Sequence, residues 1–406
     1  MSSCQIVKTL PGFDGELPFT LETGYITVEK SQLFYYFIES EGNPKEDPLL
    51  LWYGGGPGCS AFNGLIYEIG PLAFNITEYE GGTPTLEYYP YSWTQTSSIL
   101  FLDAPVGTGF SCATNLNAYS ISDTKSAAQT YAFLVKWLID HPKYLKNQLF
   151  IGADSNSGIT APIVVQHILE GNAVGERPRL NLKETKITCN ANYYDVDPNQ
   201  AECFESLQKI ANLIHDINKN DILEPKCTWA SPDQNGETDR RSLEQQSGNL
   251  ILSPSKIPEM WCHNFNYALS YIWANDESVQ QALYITEGTV KDWKRCNKNL
   301  DYTLNVETVL DVHKNLSSYG LQVSCIQVDG DHDLTVPNTG TQDWIKLLNL
   351  TIVSDWRPWL VDGEVGGEQG THLKSTSVGN VMRCTKAMSL PGFPGMLPFK
   401  LETGEN

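Results

Sequence analysis

The sequence predicts an α/β fold built on a mixed, mostly parallel sheet, and three observations carry that expectation. Apolar runs of strand length recur at Leu33–Ile38, Leu49–Trp52, Ser98–Asp103, Leu149–Ile151 and Leu321–Val328. Helical patterns follow several of them, at Thr124–Ile139, Ile159–Glu170 and about Thr339–Leu348. Strands that alternate with helices favour parallel pairing with helices on both faces. A chain of 406 residues can bury a large core as one domain or as two.

In chain order, the first two strands are separated by the polar loop Glu39–Pro48. Directly after the second comes Gly54-Gly55-Gly56-Pro57-Gly58-Cys59-Ser60. Such a glycine-rich strap lets backbone amides approach a ligand. It reads equally as a tight turn or as half of an oxyanion hole. The strand Ser98–Asp103 leads into the irregular loop Ala104–Ser111. The helix Thr124–Ile139 is closed by His141-Pro142, where His141 suits the helix dipole.

The stretch Gln148–Ile159 then places Asp154-Ser155-Asn156-Ser157-Gly158 between a buried strand and a helix, with Pro162 tolerated in the helix's first turn. A serine at such a bend is pushed out of the sheet, and the next amide points at the oxygen of an acyl substrate. Serine-bearing strand–turn–helix loops are common, and Ala153 stands where the G-x-S-x-G pattern has glycine.

From about Cys189 to Cys262 the chain turns polar, with four cysteines and no strand-length apolar run. The reading is a disulfide-tied helical insertion over residues 186–264. It divides a core of residues 5–185 and 265–385. Trp273–Ile285 returns to a helical pattern. Leu321–Val328 ends in Asp329-Gly330-Asp331-His332-Asp333, either a solvated acidic turn or an acid at the carboxyl edge of the sheet, where ligands of such sheets bind. Residues 386–406 repeat residues 6–24: twelve of fifteen positions agree between Leu10–Gly24 and Leu390–Gly404, which suggests a beginning joined onto an end.

Composition narrows the partners. A net charge of −20 argues against nucleic acid and anionic membrane surfaces. No apolar run approaches the length of a spanning helix. Ten cysteines, unlike zinc-ligand pairs in spacing, favour disulfides. Sequons at Asn75, Asn315 and Asn349 point to an exported chain, although Met1–Val7 has no apolar signal core. No metal constellation is evident, although Asp331-His332-Asp333 could be read as ligands. The implied chemistry needs no cofactor.

With these pieces placed, the chain resembles the plant serine carboxypeptidase-like proteins, of the α/β-hydrolase fold. The resemblance rests on Leu10–Tyr25, Glu46–Trp52, Gly55–Ser60, Phe101–Ser111, Asp154-Ser155 with Ser157–Ile159, Trp273–Asp276, Gly330–Asp333 and Trp356–Trp359. It implies Ser155 as nucleophile, Asp333 as triad acid, and the amides of Gly56 and Asn156 as the oxyanion hole. Gly55 and Asp154 fall at substrate-binding positions. It also implies disulfides Cys59–Cys296, Cys189–Cys203 and Cys227–Cys262, a small ester or peptide substrate, and a secreted or vacuolar location.

Departures from the family pattern matter as much. Peptidases of the family carry asparagine and glutamate where this chain has Gly54 and Asp154, which leans toward the acyltransferase branch that uses glucose esters. The C-terminal glycine-rich turn that bears the family histidine is absent. Of His141, His167, His215, His263, His313, His332 and His372, only His372 follows Asp333, and its setting differs. Weak or no turnover is the expectation, with a catalytically silent relative as a further alternative. Leu180-Asn181-Leu182 runs almost at once into Lys186-Ile187-Thr188, so a sheet strand is expected to be missing and the core incomplete.

Overall fold

A computed structural model describes residues 3–77, 79–187, 217–219, 222, 263–316, 319, 321–327, 335, 338–361, 364–373 and 381–387. Most of the insertion, and with it Cys189, Cys203, Cys227 and Cys262, lies outside the described residues, as do Asp333 and residues 388–406 of the repeated tail.

The chain opens with an antiparallel ribbon, β1 (Ser3–Val7), β2 (Leu21–Val28) and β3 (Ser31–Ile38). Two core strands follow, β4 (Leu49–Tyr53) and β5 (Ser98–Leu102). Helix α1 (Asp123–Asp140) crosses to β6 (Leu149–Ala153), and α2 (Thr160–Val174) leads on to β7 (Leu182–Ile187). Beyond the insertion come α3 (His263–Asn275), α4 (Glu277–Ala282), α5 (Leu310–Leu316), β8 (Gln322–Gln327) and α6 (Asn338–Leu347). Three strands close the described chain: β9 (Thr351–Val361), β10 (Glu364–Leu373) and β11 (Val381–Ala387).

The strands join in the order β1-β2-β3-β5-β4-β6-β7-β8-β11-β10-β9. The run β5-β4-β6-β7-β8-β11 is parallel, with antiparallel strands at both ends. The expected gap is not there. The short segment after α2 forms β7, which pairs with β6 on one side and β8 on the other. Its sequence, LKETKI, is too polar to read as a central strand. Backbone pairing on both edges makes it one nonetheless.

Period-two alternation sorts the core into two layers. From β4, Leu50 and Trp52 face a cluster with Phe62, Phe101, Trp273 and Trp293, in which Phe62 stacks on Trp273 at 5.0 Å. Leu49, Leu51 and Tyr53 face the other side, against Phe133 and Trp137 of α1 and Val164 and Ile168 of α2. At roughly 1.5–3 kcal/mol per fully buried large side chain, these layers dominate the stability of the fold. The helix expected over Trp273–Ile285 is divided between α3 and α4. Asp276 caps α4 by accepting from the Ser278 amide at 2.8 Å, a short acidic cap that ends one helix and starts the next.

Candidate active site

The parallel sheet reverses its order between β4 and β6: the chain leaves β4 for β5 on one side, then crosses by α1 to β6 on the other. Loops at the carboxyl ends of these two strands therefore meet, and such a crevice is where ligands of open α/β sheets bind. The loop after β4 is the glycine strap. The loop after β6 carries Ser155.

Ser155 has a φ of 54°, in the left-handed region that few side-chain-bearing residues adopt. A turn of 3₁₀ helix over Ser155–Gly158 follows, and α2 begins immediately after it. This is a strained bend between strand and helix, the geometry that lifts a hydroxyl clear of a sheet. The strap lies hard against it. A Cβ added at Gly55 would come within 2.6 Å of the Ser155 Cβ and 2.8 Å of the Asn156 amide nitrogen, so only glycine lets the two loops touch.

Several bonds fix the strap. Ser157 Oγ donates to the Gly54 carbonyl at 2.6 Å, the Cys59 amide to the Gly55 carbonyl at 2.9 Å, and the Ser60 amide to the Arg295 carbonyl at 2.8 Å. The expected Cys59–Cys296 disulfide is formed and joins the strap to the second half of the chain. Asp103, fully buried at the end of β5, accepts from Ser60 Oγ at 2.7 Å and from the amides of Ala61 at 2.8 Å and Phe110 at 2.9 Å. It ties the strap to the Ala104–Ser111 loop. Burial pushes its carboxyl up to about 6, against hydrogen bonds that favour the charge.

Sequence reasoning missed one acid here. Glu68 closes a turn of π helix, Gly64–Glu68, of a kind frequent at functional positions. Trp52 Nε1 donates to its carboxylate at 3.0 Å. Burial, then the neighbouring Asp154, push the Glu68 carboxyl up to about 8, so two acids share one environment next to Ser155. The available signal was a single carboxylate in the otherwise uncharged stretch Ala61–Ile69.

The histidines with described side chains have partners elsewhere. His141 bonds Glu22 at 2.8 Å, His167 stacks on Tyr131 at 5.9 Å, and buried His313 stacks on Trp344 at 5.6 Å, where burial pulls its imidazole down to about 4. His372 lies on β10, four strands from β6, and pairs with Met382 at the amino end of β11, the opposite edge of the sheet from Ser155. At the usual strand spacing the lateral separation alone is roughly 19 Å. His215 and His332 lie outside the described residues.

The family model for serine carboxypeptidases matches residues 11–188 and 182–381. This chain belongs to the serine carboxypeptidase family. The two matched parts meet where the sequence runs directly from α2 into β7. Among relatives in Arabidopsis thaliana, serine carboxypeptidase-like 16 is 40% identical over 93% of this chain and 89% of that protein. Serine carboxypeptidase-like 17 is 38% identical over 94% of this chain and 89% of its own length. Among solved structures, Kex1(delta)p, a prohormone-processing carboxypeptidase from Saccharomyces cerevisiae, superposes with a TM-score of 0.65 at 17% identity, covering 91% of this chain and 86% of that one. That likeness establishes the shared α/β-hydrolase fold. No helix among the described residues is long and apolar enough to cross a membrane.

Proposed function

We propose that this serine carboxypeptidase relative performs serine-type acyl transfer of the carboxypeptidase kind, through an acyl-enzyme on Ser155. The observation that carries the reading is the left-handed backbone at Ser155 with the glycine strap pressed against it. In this scheme Ser155 Oγ attacks the carbonyl carbon of a small peptide or ester. The amides of Gly56 and Asn156 hold the oxyanion, and Asp333 serves as the triad acid. The departing amine or alcohol leaves with a proton, and water then hydrolyses the acyl-serine.

Glu68 and Asp154 support recognition of a substrate carboxylate. Below about 8 the Glu68 carboxyl is protonated and can donate a hydrogen bond to that group. Without a histidine in the family's C-terminal turn, general-base assistance worth roughly 10²–10⁴-fold is forgone, so turnover is slow.

Gly54 favours a second reading, acyl transfer from a glucose ester to an alcohol. It offers no side chain to a carboxylate, and an added Cβ would meet the Cys59 carbonyl at 3.1 Å. Both readings include an exported glycoprotein. Asn315 and Asn349 are exposed, while the Asn75 amide donates to Glu87 at 2.5 Å.

The test compares a blocked dipeptide, its C-terminal amide, and a glucose ester with an alcohol acceptor, at pH 5 and pH 8, with Ser155→Ala as the blank. Slow Ser155-dependent release of the terminal residue, faster for the free acid and at pH 5, is expected. Transfer from the glucose ester alone selects the second reading. Absence of all turnover together with absent fluorophosphonate labelling of Ser155 would overturn the acyl-serine reading. Robust labelling would overturn only the slow turnover.

A further inference from the structure

A second group of reactive side chains stands far from Ser155 in the chain fold, where the antiparallel ribbon meets the end of α1. Ile6 pairs with Glu22 and Cys4 with Gly24, so Cys4 and Glu22 lie diagonally on one face of the β1–β2 ladder. Tyr35 pairs with Gly24 from the other side. The absence of a side chain at Gly24 leaves a gap between Cys4 and Tyr35. His141, just past the end of α1, completes the group by stacking on Trp137 at 4.1 Å.

One ligand atom from each of Cys4, Glu22 and His141 lies within 4.8 Å of the other two. Cys4 is exposed, whereas the Glu22 and His141 side chains are nearly enclosed. The hydrogen bonding around the imidazole is telling. His141 Nδ1 lies 2.8 Å from the Trp137 carbonyl, which can only accept, so Nδ1 carries a proton. Nε2 lies 2.8 Å from Glu22 Oε1, and that same oxygen already accepts from the Tyr35 hydroxyl at 2.7 Å. A neutral imidazole would thus turn a lone pair toward a carboxylate. Something positive must sit between them, either a proton or a metal ion.

We propose that Cys4, Glu22 and His141 form a site for a divalent transition metal of the zinc type. Thiolate, imidazole and carboxylate are the ligand types such an ion takes, and hard ions such as magnesium avoid the first two. Tetrahedral zinc bonds imply ligand separations of about 3.5 Å, so Nε2 and Oε1 would open from their 2.8 Å hydrogen-bond distance as the proton between them leaves, and a rotamer change at exposed Cys4 would bring its sulfur to the same spacing. The outer contacts are those of a metal-binding histidine: a backbone carbonyl fixes the tautomer through Nδ1, and Tyr35 orients the carboxylate. On binding, two protons pass to water, the Cys4 thiol proton and the one held between Nε2 and Glu22, and Nε2 then offers its lone pair to the metal. Water fills the fourth position beside Cys4. The ion would tie the edge strand β1 to the end of α1. Burial and the acidic neighbours Glu22 and Asp140 raise the free Cys4 thiol, and the same negative surroundings attract a cation.

The test is titration of the full oxidised chain with Zn²⁺ by calorimetry and with Co²⁺ by absorption, comparing the parent with Cys4→Ala and Glu22→Gln. Cys4→Ala changes an exposed side chain and leaves the fold intact. Expected are one equivalent bound, a thiolate-to-Co²⁺ band, and a loss of at least ~10-fold in affinity in both variants, with the band gone in Cys4→Ala. Zinc should also slow alkylation of Cys4. No saturable uptake by the parent, or uptake and band unchanged in Cys4→Ala, would overturn the proposal. The first result would leave a proton between Glu22 and His141, and the second would place the ion on other thiols.

Discussion

The two halves of the central sheet are made of different sequence. Strands β4, β5 and β6 read LLLWY, SILFL and LFIGA, and every residue in them is buried. Beyond β6 the parallel run continues through LKETKI, QVSCIQ and VMRCTKA. Interior parallel strands covered on both faces are expected to be continuous apolar runs. The first half meets that expectation in sequence; the second does not, and its strands are defined by backbone pairing. The lesson concerns where precision resides. The strap, the bend at Ser155, Glu68 and Asp103 all lie between residues 49 and 158, on the apolar half.

The sharpest test of that contrast is a truncation in the first half. Phe133→Ala, at a fully buried position against β3 and β4, should cost about 3–5 kcal/mol in urea unfolding. A much smaller loss would mean the first half is not the stable one.

Next comes Glu68. Its carboxyl ionises at an ordinary value near 4.5 in the unfolded chain and at about 8 in the fold. The folded state therefore holds an extra proton between those values, and stability falls as pH rises through that window. Each tenfold difference in proton affinity between the folded and unfolded chain is worth ~1.4 kcal/mol. Glu68→Gln should thus gain stability over the parent progressively from pH 5 to pH 8. Asp103 is common to both proteins and drops out of the difference. Parallel pH curves would show that Glu68 is not held protonated.

A smaller effect is expected at the bend itself. Ser155→Gly removes a side chain from a left-handed backbone and should raise stability by about 1 kcal/mol while abolishing probe labelling. Destabilisation would mean that the bend stores no strain. The smallest change belongs to the second half. Lys183→Ala, exposed on β7, should stay within about 0.5 kcal/mol of the parent, and a larger loss would erase the contrast between the halves.

Legibility in the sequence follows the same divide. The strands Leu33–Ile38, Leu49–Trp52 and Leu149–Ile151 stood out because both faces are buried, and the structure moved their ends by one or two residues. β7 was hidden because its pairing partners, not its side chains, make it a strand. The bend at Ser155 was legible because it demands small residues in sequence. Glu68 was not, since its meaning depends on Trp52 and Asp154, which only folding brings near. The Glu22–His141 pair was missed for the same reason: the residues lie 119 positions apart, and His141 alone looked like a helix-end residue.

The Cys59–Cys296 bond spans 237 positions and encloses the whole insertion. A protease that nicks the chain anywhere between those two cysteines would leave two polypeptides still covalently joined. Such a cut would go unseen on a non-reducing gel and would separate into two bands only after reduction. The strap beside Ser155 would keep its anchor throughout, so severing the polypeptide in the insertion would not by itself release one half of the sheet from the other.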